Sequence, residues 1–169
     1  MRRAPVSLVL SALLAAAGAP TLADDELEWG FEARLGGFQE VPAVSTTGRG
    51  LFHARLVKTP DGLALAFRLS YRDLEGRANR AHVHFGQRGV NGGVSAFLCG
   101  GGGKPPCPDS GPVTGTIAAA DVMGPEPQGI APGEFRELLR AMRSGVTYVN
   151  VHTSSFGDGE IRGQIEGRD

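Results

Sequence analysis

Several segments of the chain alternate between apolar and polar residues with a period of two. The clearest segment runs from Leu63 to Tyr71, and an earlier one runs from Leu27 to Leu35. Because successive side chains of a strand point to opposite faces, this period predicts strands with one buried face. Shorter apolar segments between turns rich in glycine and proline predict further strands over residues 50–58, 81–85, 94–98, 113–117, 146–153 and 160–166.

One segment has the period of a helix instead. Its apolar residues recur at intervals of three and four, at Phe135, Leu138, Leu139 and Met142. Pro132 suits the first turn and Gly145 suits the end, so we expect a helix over about residues 133–143. Many short strands and a single helix predict a mainly β fold, an antiparallel, Greek-key-like β-sandwich with one short helix.

The first 23 residues have the layout of a secretory signal peptide. A basic start at Arg2 and Arg3 is followed by an apolar run and by small residues at Thr21 and Ala23. We expect residues 1–23 to be removed and residues 24–169 to form one domain that is secreted or periplasmic. An uncleaved anchor is the alternative. No later stretch approaches the ~20 apolar residues of a membrane-spanning helix, so we expect no transmembrane segment after cleavage.

The charge of the chain argues against a nucleic-acid partner. The sequence has 17 basic and 18 acidic residues, and two of the basic ones lie in the leader. A nucleic-acid-binding domain should carry a basic stripe, and the sequence has none. We expect the partner to be an extracytoplasmic protein or a metal ion.

The two cysteines, Cys99 and Cys107, flank a short loop rich in glycine and proline. In an exported protein such a pair is expected to form a disulfide. Closing so short a loop stabilises the fold by about 2–3 kcal/mol in the chain-entropy model. The segment between the two cysteines is longer than the two residues that separate the cysteines of a thioredoxin motif or a zinc knuckle. The pair is therefore poorly placed to act as a redox or metal site.

Three of the four histidines lie in two predicted strands. His82 and His84 share one face of the first, and His152 shares the polar face of the second with Tyr148 and Asn150. If the two strands are neighbours, three imidazoles converge in a set that suits copper or zinc. Proton competition should then weaken binding as the pH falls toward 5, because an unperturbed histidine protonates near pH 6.5.

The alternative for these histidines is a structural role. In that interpretation they are hydrogen-bonded sheet residues, and His82 and His84 fix loop backbone. His53 is a weaker candidate ligand, because it lies on another strand with Arg55 on its own face. The polar residues Glu160, Arg162 and Gln164 also alternate along one strand, and such a face is usually solvated or salt-bridged.

Several motifs together resemble the CHRD (chordin-type) domain, in the form of its bacterial single-domain members. They are Leu35-Gly36-Gly37 with Gln39-Glu40-Val41-Pro42, Ala81-His82-Val83-His84, Tyr148 to Thr153, and Gly159 to Ile165. The motif residues that the resemblance singles out are Glu40, Asn150, Thr153, Glu160, Arg162 and Gln164. The resemblance covers about residues 31–166 and implies an extracytoplasmic β domain, and it does not imply an enzyme. The growth-factor-binding modules of chordin itself have no counterpart here.

A shorter likeness concerns the histidines. His82-Val83-His84-Phe85-Gly86 resembles the copper-binding strand of copper/zinc superoxide dismutases, and Val151-His152 resembles a later copper ligand there. The chain lacks the additional histidines of a bridged metal pair, so the likeness implies a single metal at most. The sequence thus predicts an exported, non-catalytic CHRD-domain protein that binds copper or zinc, with a copper-dependent oxidoreductase of superoxide-dismutase type as the alternative.

Overall fold

The computed structural model describes residues 30–109 and 111–168. The predicted leader, with Leu27 and Trp29 of the first predicted strand, lies outside the described residues. Within them the chain forms nine strands and one α-helix. These are β1 Phe31–Gly36, β2 Arg49–Thr59, β3 Gly62–Arg72, β4 Ala78–Phe85, β5 Gly93–Cys99, β6 Val113–Ile117, α1 Phe135–Arg143, β7 Thr147–Thr153, β8 Ile161–Gln164 and β9 Glu166–Gly167.

The strands form one antiparallel sheet in the order β5-β4-β7-β8-β1-β2-β3-β6, and β9 pairs with β1. The two end strands, β5 and β6, lie next to each other, so the sheet curls into a nearly closed barrel. The predicted mainly antiparallel β fold with one helix is confirmed. The hydrophobic core lies inside one continuous sheet. In the predicted β-sandwich it would lie between two facing sheets.

In the β2–β3 hairpin the predicted alternation holds from Leu65 to Tyr71 of β3, whereas Leu63 of the predicted buried face is exposed. The two strands pair from Arg49 opposite Arg72 to Thr59 opposite Gly62. Their inward side chains include Phe52 and Leu65, which are fully buried. Burying a side chain of this size stabilises a fold by roughly 1.5–3 kcal/mol, so this hairpin is a large part of the core.

The helix α1 closes the core with the predicted apolar stripe. Phe135, Leu138, Leu139 and Met142 are all buried in the same hydrophobic cluster as the strands. The helix begins two residues later than predicted, because residues 133 and 134 lie in a turn. Among the described residues, no helix has the length and apolarity needed to cross a membrane.

The predicted disulfide between Cys99 and Cys107 is present. It joins the end of β5 to the loop that follows, with the two half-cystines eight positions apart. Gly100 begins this loop with a φ of +74°, and a Cβ on it would lie 1.9 Å from the carbonyl oxygen of Asn79. Gly100 therefore packs directly against the backbone at the start of β4.

Three neighbouring strands, β4, β7 and β8, have one apolar and one polar face. The apolar residues Val83, Val149, Val151 and Ile161 are fully buried in the core. The alternating positions place polar and aromatic side chains on the other face, and we use the name polar face for six of them: His82, His84, Tyr148, Asn150, His152 and Arg162.

Candidate metal centre

The register of β4 and β7 brings the three predicted histidines together. His82 pairs with Asn150, and Arg80 pairs with His152, so His152 lies diagonally across from His82. One ring nitrogen from each of His82, His84 and His152 lies within 4.8 Å of the other two. The two strands that carry the histidines are therefore neighbours, which is the condition under which the sequence predicted that the three imidazoles converge. We call these three residues the histidine cluster.

The spacing within the histidine cluster is close to that of metal ligands. His82 Nδ1 lies 3.2 Å from His84 Nε2, and the ring centroids of His82 and His152 are 4.8 Å apart. Two nitrogen donors on a tetrahedral zinc ion lie about 3.3 Å apart, given Zn–N distances of about 2.0–2.1 Å. The His82–His84 pair is already at this distance, and His152 would have to move closer to complete the set.

Two backbone carbonyl groups set the orientation of the rings. His84 Nδ1 lies 2.9 Å from the oxygen of Gly92, and His152 Nδ1 lies 2.8 Å from the oxygen of Gly157. Because a carbonyl oxygen only accepts, each Nδ1 carries the proton and each Nε2 is left with its lone pair. This is how histidine ligands of metals are usually held. The sequence did not predict these two carbonyl groups, since both come from loops.

Burial keeps the imidazoles neutral. It lowers the pKa of His82 to about 3, with a further lowering from the neighbouring His152 and His84. Burial also lowers the pKa values of His84 and His152, although the carbonyl groups that they contact act in the opposite direction. Neutral imidazoles are the form that binds a metal, so at neutral pH a metal displaces few protons.

A cover of side chains and loop backbone encloses the histidine cluster. Phe97 of β5 packs edge-on against His82, with 4.5 Å between the ring centroids. The 87–92 loop covers the other side, where the backbone N–H of Gly92 donates to the Tyr148 hydroxyl. His82, His84 and His152 are 4%, 8% and 7% exposed, so little solvent reaches their rings.

Arg162 is enclosed beside the cluster. Its guanidinium carbon lies 3.4 Å from the centre of the Tyr148 ring, and Tyr148 in turn stacks on His84 at 4.7 Å. It donates to Asn91 Oδ1 and to the carbonyl oxygens of Gln87 and Val90. Arg162 therefore fastens the covering loop to β8.

The prediction of a solvated or salt-bridged face on residues 160–164 is wrong, because the three side chains are buried and form no salt bridge among the described residues. Glu160, Arg162 and Gln164 are 0%, 1% and 8% exposed, because loops that strand alternation does not reveal cover them. Gln164 Nε2 donates to the carbonyl oxygens of Gly86 and Gly145. Its amide thus ties the ends of two other strands to β8.

Glu160 and Thr153 have a structural role. Glu160 Oε1 accepts from the Thr46 hydroxyl at 2.8 Å and from the backbone N–H of Glu75 at 2.7 Å. Glu160 Oε2 accepts from the Thr153 hydroxyl at 2.8 Å. One buried carboxylate therefore joins three segments of the chain that are distant in sequence.

Glu40 and Asn150 lie side by side near the histidine cluster. A Cβ on Gly159 would lie 2.6 Å from Glu40 Oε1 and 3.0 Å from Asn150 Nδ2, so both atoms border the same small gap. Burial raises the pKa of Glu40 to about 7, although Arg162 and the N–H of Val41 oppose the shift. Within the part of the chain that the structure describes, Glu40 Oε1 and Asn150 Oδ1 have no hydrogen-bond partner.

His53 lies elsewhere in the sheet. It is on β2, opposite Arg68 of β3, and it does not belong to the histidine cluster. This position agrees with the prediction that His53 is a weaker candidate for a metal ligand than the other three histidines. It also makes His53 a suitable control for substitutions in the cluster.

Comparison with known proteins gives one match. No curated protein and no solved structure matches the chain. The family model of the CHRD domain matches residues 31–165, which include the whole histidine cluster, the polar face and the disulfide. The match covers well over half of the sequence, and the chain belongs to the CHRD-domain family.

Proposed function

We propose that this protein is an exported, non-catalytic CHRD-domain protein that binds one zinc or copper ion through His82, His84 and His152. The observation that carries the proposal is the convergence of three buried imidazoles whose ring nitrogens lie within 4.8 Å of one another. Backbone carbonyl groups accept hydrogen bonds from Nδ1 of His84 and Nδ1 of His152, so that Nε2 of each ring keeps its lone pair for a metal.

The electrostatics of the cluster support metal binding. His152 Nε2 is buried and lacks a hydrogen-bond partner among residues 30–109 and 111–168. Leaving a buried polar atom unpaired costs roughly 1–3 kcal/mol, which a metal–ligand bond would offset. Burial lowers the pKa values of the three histidines, so we expect protons to compete with the metal less strongly than they would at unperturbed histidines.

Export is the second part of the proposal. The leader-like residues 1–23 and the disulfide between Cys99 and Cys107 support it, because disulfides persist mainly in oxidising compartments. The intact mass of protein recovered from outside the cytoplasm tests this part. We expect a mass that begins at Asp24, and a full-length mass would contradict cleavage.

The competing structural interpretation makes a different prediction. The His82–His84 contact at 3.2 Å is also a hydrogen-bond distance. If that bond is the whole role of the pair, His82→Ala lowers the melting temperature by the same amount with and without metal. If a metal is bound, an excess of 100 times Kd stabilises the wild type by about 2.7 kcal/mol and His82→Ala loses that gain.

The alternative function is a copper-dependent oxidoreductase of superoxide-dismutase type. The observation in its favour is that three imidazoles leave one position of a four-coordinate ion for a substrate. Superoxide consumption by the copper-loaded protein, measured beside copper-loaded His152→Ala, tests it. Equal rates in the two proteins would contradict this function.

A further inference from the structure

One side chain next to the histidine cluster has an unexplained atom. Asn150 is 4% exposed, and its Oδ1 has no hydrogen-bond partner among the described residues. A buried amide oxygen normally accepts a hydrogen bond, and leaving it unpaired costs roughly 1–3 kcal/mol. The position of Asn150 in the sheet indicates which group its oxygen could contact.

Asn150 is a close neighbour of all three histidines. It lies directly opposite His82 in the β4–β7 ladder, where Cβ atoms are about 4.5–5.5 Å apart. It is two residues from His152 on the same strand face, and it is diagonal to His84.

The two ends of the amide face different surroundings. Asn150 Nδ2 lies toward Glu40, across the gap that Gly159 leaves open. The amide nitrogen therefore borders the gap beside Glu40, and the amide oxygen is the atom that no described residue satisfies. Zinc accepts oxygen as well as nitrogen donors and is four-coordinate in closed structural sites.

Resting on the metal site proposed above, we infer that Asn150 Oδ1 is the fourth donor and closes the coordination sphere around the ion. The site is then a three-nitrogen, one-oxygen centre without an exchangeable position. Such a site holds a metal for storage or structure and admits no substrate, which opposes the oxidoreductase alternative.

Cobalt(II) titration of the purified protein, followed by azide, tests this inference. Cobalt replaces zinc and has visible absorption bands that change with its ligands. We expect azide to leave the spectrum of the cobalt-loaded wild type unchanged. In Asn150→Ala the fourth position opens, so azide should alter the bands, and cobalt affinity should fall because one donor to the ion is lost.

Two variants keep the result interpretable. Asn150→Asp retains an oxygen donor and should exclude azide as the wild type does, even if Asn150→Ala folds poorly. Gln164→Ala removes another buried amide of the same strands, but its donors contact Gly86 and Gly145. That variant should lower stability without admitting azide.

The outcomes separate this inference from the proposed function. Azide binding to the wild type, together with cobalt binding that depends on His82 and His152, would overturn the closed site and leave the metal site intact. Equal azide responses in the wild type and in Asn150→Ala would overturn the assignment of Asn150 as the fourth donor and would leave the metal site intact. No cobalt, zinc or copper binding to the wild type would overturn both.

Discussion

Replacing Glu40 with glutamine should remove one specific source of pH-dependent stability. Burial raises the pKa of this carboxyl group from 4.5 to about 7 in the folded protein. Between these two pH values the folded state binds more protons than the unfolded state. Stability from this group is therefore greatest at low pH and falls as the pH rises through the window of about 4.5 to 7.

The magnitude follows from the two pKa values. At about 1.4 kcal/mol for each pKa unit, the full shift corresponds to about 3 kcal/mol of free energy of unfolding. Most of this change falls between pH 5 and pH 8, where we expect the wild type to lose about 2 kcal/mol relative to Glu40→Gln. The histidines titrate in both proteins, so their contribution cancels in the comparison.

Urea unfolding of the metal-free proteins at a series of pH values is the assay. Glu126→Gln is the control, because Glu126 is an exposed carboxylate on the surface. It should leave the wild-type pH dependence unchanged. Parallel pH profiles for the wild type and Glu40→Gln would refute the reasoning, and they would mean that the Glu40 carboxyl group reaches water or an unrecognised cation.

Three other substitutions test the framework around the cluster. Gly159→Ala should lower the free energy of unfolding by about 1–3 kcal/mol, measured by urea unfolding. Gly159 has a φ of +128°, and a Cβ on it would contact Glu40. Gly157→Ala is the control, because a Cβ on Gly157 would meet open space. Glu160→Gln should cost about 2–3 kcal/mol, since an amide N–H₂ would face one or more of its three donors. Replacing both Cys99 and its partner by serine should cost about 2.5 kcal/mol, and equal thermal unfolding with and without the bridge would contradict this.

The strands and the helix could be predicted because their periodicity is local. The alternation in β3 and the stripe of Phe135, Leu138, Leu139 and Met142 each reflect one buried face. The closure of the sheet could not be predicted in this way. It depends on the pairing of β1 with β8 and of β3 with β6, which joins segments far apart in the sequence and brings the end strands β5 and β6 next to each other.

The candidate site was predictable only in part. Strand alternation placed His82 and His84 on one face, and the sequence left the approach of His152 conditional on strand adjacency. The enclosure of the site depends on the paths of loops, which no period specifies. For this reason the roles of Gly92 and Gly157, and the burial of Arg162, emerged only from the structure.

The most direct test of the central claim is a zinc and copper titration of the purified protein near neutral pH. Wild type should be compared with His82→Ala, His152→Ala and the control His53→Ala. We expect one ion to bind wild type and His53→Ala with equal affinity. The affinity of each of the other two variants should be lower by more than roughly 100-fold. Such a loss exceeds the effect of removing a residue that only hydrogen-bonds to a ligand. Indistinguishable affinities in all four proteins would contradict the account.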